Sequence, residues 1–80
     1  MQSRPLFVWA EWDEEARVWV ATSDDVPGLA TEECTIELLI EKLKVMIPEL
    51  LALNRGRVRP RRIAFEMLSR RFESLELAAV

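Results

Sequence analysis

The sequence predicts a small α+β domain, and three observations carry that prediction. Residues 6–12 (LFVWAEW) and 17–23 (RVWVATS) are dense in aromatic and β-branched residues, as strands are, with a short polar connection between them. Residues 35–54 (TIELLIEKLKVMIPELLALN) repeat apolar side chains at helical spacing. Eighty residues are enough for one domain and for no more.

The first strand ends at Asp13-Glu14-Glu15-Ala16, a polar hairpin connection. No Asn-Gly or Asp-Gly pair pins its register. A three-residue loop would put Val8, Ala10, Val18 and Val20 on one face and Phe7, Trp9 and Trp19 on the other. A two-residue loop would mix these sets. The first register is preferred because it sorts small branched residues from large aromatics, leaving the aromatic face bare as an interface.

Asp24-Asp25-Val26-Pro27-Gly28 reads as a turn, with Pro27 presetting φ and Gly28 supplying the positive φ of a type II turn. Residues 29–32 then make a short third strand running into the helix cap. Thr35 is a good N-cap, and Glu37 places negative charge near the positive helix end. The reciprocal capping box is absent, because Leu38 stands three positions after Thr35. Ile36, Leu39, Ile40, Leu43, Met46, Ile47, Leu50 and Leu51 form the stripe, while Leu38, Val45 and Leu53 fall outside it. Pro48 removes the bond to the carbonyl of Lys44 and should bend the helix there. Asn54 or Gly56 ends it.

Beyond the basic linker 55–62 the tail is ambiguous by period. Ile63, Phe65 and Met67 alternate as in a strand, whereas Phe65, Leu68, Phe72 and Leu75 also form a helical stripe.

Composition bounds the function. The net charge of −3 hides an asymmetry. Residues 1–54 carry four bases against eleven acids, a net of −7, and residues 55–80 carry seven arginines against three glutamates, a net of +4. Cys34 is the single cysteine and there is no histidine, which argues against an internal disulfide, a zinc site and a thiol dyad. With no Gly-rich phosphate loop or convergent acid–base pair either, neither an enzyme nor a cofactor is expected. No apolar run reaches membrane-span length and no signal peptide is visible, so a reduced, cytoplasmic setting is expected. A chain of this size is marginally stable alone, so a homo-oligomer or hetero-partner is expected.

The ordered set Val18-Trp19-Val20-Ala21, Asp25-Val26-Pro27-Gly28-Leu29 and Thr35-Ile36-Glu37, followed by the Pro-containing stretch 42–54, resembles the HicB-like antitoxin family, in particular its small stand-alone branch. The resemblance covers residues 5–77. It implies a β-β-β-α-β fold, like a double-stranded-RNA-binding or truncated ribonuclease-H domain. The sheet is expected to be antiparallel, with one helix on one face. The last strand is placed at about residues 63–73. In better known members this domain blocks a small mRNA-cleaving toxin, and a separate C-terminal domain binds DNA. Only 80 − 54 = 26 residues follow Asn54, room for the last strand but not for that domain, so operator binding is not expected.

The candidate residues follow. Phe7, Trp9 and Trp19 are possible partner anchors, or else core. Leu38, Val45 and Leu53 could pack on a second copy, or under the tail and linker. Arg55, Arg57, Arg59, Arg61 and Arg62 could meet phosphates or an acidic partner, or remain a solvated linker. Asp13, Asp24 and Asp25 invite a metal reading, but they sit at opposite strand ends, roughly 20 Å apart, and turn chemistry explains them better. Cys34 reads as a small apolar residue before the cap. The expected role is a cytoplasmic interaction domain that masks a small basic toxin and self-associates through its aromatic sheet face or tail strand. The rival readings are a homo-oligomeric structural domain without a toxin, and a nucleic-acid binder using segment 55–62.

Overall fold

The computed structural model describes residues 4–55 and 62–78, with the side chain of Arg55 outside that description. Four strands and one helix follow in the order β1 (Leu6–Asp13), β2 (Val18–Thr22), β3 (Ala30–Glu33), α1 (Ile36–Arg55) and β4 (Phe65–Arg70). They form one sheet with strand order β3-β2-β1-β4. The β1–β2 and β2–β3 pairs are antiparallel. β4 instead lies parallel to β1, so the sheet is mixed rather than wholly antiparallel. The reason is the crossover: the chain leaves β3 through α1, returns along the helix, and enters β4 in the direction of β1.

The hairpin register differs from the one preferred on sequence. Trp12 opposes Trp19 and Ala10 opposes Ala21, which makes the loop four residues, Glu14 to Arg17. Two features hold that loop. Asp13 Oδ1 accepts the backbone N–H groups of Glu15 and Ala16, both at 3.0 Å. Arg17 takes the left-handed conformation, φ 60°, and donates its N–H to the carbonyl of Asp13. An even-length loop puts Trp19 on the helix side and Val18 and Val20 on the open side, because the side-chain period is two.

The core lies between helix and sheet. Val8, Ala10 and Ala21 from the sheet, Val26 and Leu29 from the turn, and Leu39, Leu43, Ile47 and Leu51 from the helix are all buried. Small Ala10 and Ala21 at the sheet centre let the leucines of α1 sit close. Of the four remaining stripe residues, Ile36, Met46 and Leu50 pack against this cluster while Ile40 is half-buried outside it, and Leu6, Trp19, Ile63, Phe65 and Met67 lie at its margin. The helix is capped as expected, Thr35 Oγ1 accepting the N–H of Leu38 at 3.1 Å, and it runs through Pro48 without a break. Lys42 ties it to β3, donating to the Glu32 carbonyl at 3.1 Å and pairing with the Glu33 carboxylate at 3.4 Å.

The tail resolves as strand over residues 65–70. Its helix-side residues are Phe65, Met67 and Ser69, opposite Leu6, Val8 and Ala10. Residues 71–78 continue past it without turn or bend and are exposed throughout.

Candidate functional site

Among the described residues, one face of the sheet carries no helix. By strand alternation it presents Phe7, Trp9 and Glu11 from β1, Val18, Val20 and Thr22 from β2, and Glu66, Leu68 and Arg70 from β4. Phe7, Trp9 and Leu68 are large apolar side chains left 38%, 49% and 39% exposed. Trp9 and Leu68 are direct partners across the β1–β4 ladder, so the patch is contiguous. Together with Arg4, Asp24 and Asp25 these three line a shallow concavity of about 270 Å³.

The backbone beneath the patch is held by the residues just after β2. Asp25 Oδ2 accepts the N–H of Phe7 at 2.8 Å, and the Ser23 hydroxyl donates to the Phe7 carbonyl. Ser23 Oγ also accepts the Asp25 N–H at 3.0 Å. Arg4 completes the clasp, its guanidinium meeting both Asp25 oxygens at 3.1 and 3.3 Å. The Phe7 amide, and then Arg4, hold the Asp25 carboxyl below the usual carboxylate range.

A second hollow, about 450 Å³, lies nearer the hairpin end and is lined by Glu11, Trp12, Asp13, Glu14, Val20 and Thr22. Three of its six lining residues are acidic. Glu14 is bonded to the Trp12 indole N–H at 3.0 Å and paired with Arg17; these two contacts keep its carboxyl below its ordinary range. The open face is thus an apolar centre with acids around it: Glu11, Glu66, Asp24 and Asp25, with Arg4 and Arg70 as cations at the border.

The structure brings only some sequence candidates together. Phe7 and Trp9 share the open face, but Trp19 lies on the opposite side, packed against the core and against Trp12 with ring centroids 5.4 Å apart. Leu38, Val45 and Leu53 stay exposed on the helix, away from the sheet. Arg62 is exposed; Arg57, Arg59, Arg61 and the side chain of Arg55 lie outside the described residues. Among the described residues no three His, Cys, Asp or Glu side chains group as metal ligands, and no helix is long and apolar enough to cross a membrane. Asp13 and Asp25 serve as a turn acceptor and a clasp. Two contributors escaped the sequence reading. In sequence Leu68 signals only the helical alternative for the tail, and its place beside Trp9 depends on the parallel pairing. Ser23 carried no signal beyond its position at the strand end.

Residues 5–77 match a family described as a domain of unknown function, DUF1902. A solved structure, that of a hypothetical protein from the extremely thermophilic bacterium Thermus thermophilus, shares the fold. It is 49% identical, with a TM-score of 0.68, over 92% of this chain and 100% of that one. No curated protein matches the chain.

Proposed function

The chain belongs to the DUF1902 family of domains of unknown function, and from its surface we propose that it is a small protein–protein interaction domain of the HicB antitoxin kind, one that masks an RNA-cleaving toxin. The observation that carries this reading is the open sheet face, where Phe7, Trp9 and Leu68 lie bare inside a border of acids. Exposed apolar patches rimmed by polar groups mark interaction sites, and aromatic residues dominate their energetics. A basic toxin meets both halves of that surface. Its cationic RNA-binding groups face the carboxylates, which speeds encounter, and its apolar side chains cover the aromatics, which slows release. Masking then acts by occlusion, with no chemistry asked of this chain.

The test is co-expression with the product of a short, basic neighbouring reading frame. The toxin alone arrests growth and the pair restores it. Trp9→Ala with Phe7→Ala abolishes the rescue while the purified variant stays folded. A neighbour that causes no arrest, or a rescue indifferent to both substitutions, overturns the reading.

A further inference from the structure

The two edges of the sheet are unlike. β3 is four residues long, carries Glu32 and Glu33, and has its Glu32 carbonyl taken by the Lys42 ammonium. Short length and charge are the usual protections against edge-to-edge pairing. β4 has six residues, and no proline, bulge or covering element protects it among the described residues. The Leu6 N–H donates to the Ala64 carbonyl, so the alternation of a parallel ladder turns the backbone groups of Phe65, Met67 and Ser69 outward.

The chain also does not end at that edge. Residues 71–78 leave the body as an arm on which Phe72, Leu75 and Leu77 are 80%, 86% and 92% exposed. The molecule is 63 Å long with a radius of gyration of 16.0 Å, where a compact chain of this length has roughly 12 Å. The root of the arm is fixed, because the Arg71 guanidinium stacks on the Trp12 ring at 4.3 Å and its Nε donates to Glu73 at 2.5 Å. Arg71 therefore continues the alternation of β4 on the helix side. Extended onward, that alternation puts Leu75 and Leu77 on the side of Phe65 and Met67, and Phe72 on the side of Leu68.

We infer that the β4 edge and its arm are the seat of a second copy of this chain, the two copies pairing β4-plus-arm antiparallel about a twofold axis into one continuous sheet. Antiparallel is the only direction a twofold allows for a strand meeting itself. The outward backbone groups sit on odd-numbered residues, so odd must oppose odd. The same parity brings Leu75 and Leu77 of one copy against Ile63, Phe65 and Met67 of the other, and Phe72 against Leu68. Backbone direction and side-chain face thus select one set of registers. The three apolar arm side chains of both copies present on the order of 1,000 Å² and cover as much again, which reaches the size of a stable interface. This pairing goes beyond the masking role, since it uses the sheet edge and leaves Phe7 and Trp9 free.

Light scattering on the full chain at about 100 μM, with hydrogen exchange on the same sample, tests it. The expected species has twice the chain mass, and the amides of Phe65, Met67 and Ser69 are protected in it and exchange on dilution. Leu75→Glu with Leu77→Glu lies on an exposed arm and leaves the fold intact; it raises the dimer Kd more than ~10-fold. Ser69→Pro removes one outward donor without touching the β1 ladder and weakens the dimer likewise. A monomeric wild type, or a dimer that survives both variants, overturns the inference. Toxin rescue is read in a separate assay, so either proposal can fail alone.

Discussion

The carboxylate of Asp25 accepts the backbone N–H of Phe7 across the mouth of the β1–β2 hairpin, at 2.8 Å, eighteen positions away in sequence. With the Ser23 hydroxyl on the Phe7 carbonyl, it prolongs the ladder one step beyond the last residue of β2. The aspartate that opens the D-V-P-G-L motif is therefore a clasp that fixes where Phe7 stands on the open face.

That clasp gives stability a sign with pH. The folded Asp25 carboxyl sits below its ordinary range, first because of the Phe7 amide and then because of Arg4. Its contribution is present above the unfolded pKa and is lost as pH falls through the lower folded one. Asp25→Asn should therefore lower Tm at pH 7, and the gap to wild type should close below about pH 3, in the range where carboxylates protonate. A gap that persists in acid would mean the carboxylate charge contributes nothing there.

Gly28 has φ of +87° in the turn closed by the Leu29 N–H on the Val26 carbonyl at 3.1 Å. The turn is locked to the helix end, because Asn54 Nδ2 donates to the Pro27 carbonyl at 3.0 Å and to Leu50 O at 2.8 Å. A Cβ at Gly28 would meet Leu50 Cδ2 at 3.6 Å, an ordinary contact. The cost of Gly28→Ala is thus torsional, about 1–2 kcal/mol, and Gly28→Asn should cost less because asparagine tolerates this region. Urea titration of both variants checks it; equal losses would point to a steric cause.

The helix and this turn were legible because their signals are local. The eight-residue stripe on α1 needed only a period, and the type II turn only Pro27 before Gly28. The hairpin register was not legible. It rests on Arg17 accepting a left-handed backbone and on Asp13 folding its carboxylate over two amides, and neither residue type demands it. One residue of loop length then moved Trp19 from the open face to the helix side. The parallel β4 was hidden for a different reason, since direction comes from the crossover and not from the strand. Six of the nine side chains placed on the open face, Leu68 included, depended on those two facts.

Leu43 is fully buried at the centre of the helix stripe, facing the sheet. Leu43→Ala should cost about 2–5 kcal/mol from lost transfer energy and the cavity left behind. A domain of this length holds only roughly 4–12 kcal/mol in all. The variant should therefore lie near its unfolding midpoint by thermal melt in dilute solution. A loss under 1 kcal/mol would mean the site collapses around the smaller side chain.

The register makes the two tryptophans Trp9 and Trp19 opposites. Trp9 stands on the open face, half of its surface in solvent, while Trp19 packs against the core and against Trp12. Trp19→Ala should cost about 3–5 kcal/mol at the upper end, less the exposed share of the ring. Trp9→Ala should change stability little, as surface substitutions do within about 0.5 kcal/mol, and act on partner binding instead. Acrylamide should quench Trp9 in the free protein and leave Trp19 shielded, a difference that single-tryptophan variants resolve directly. If both rings were quenched alike and Trp19→Ala were as mild as Trp9→Ala, the loop would have the three-residue length, which sets Trp19 beside Trp9 on the open face.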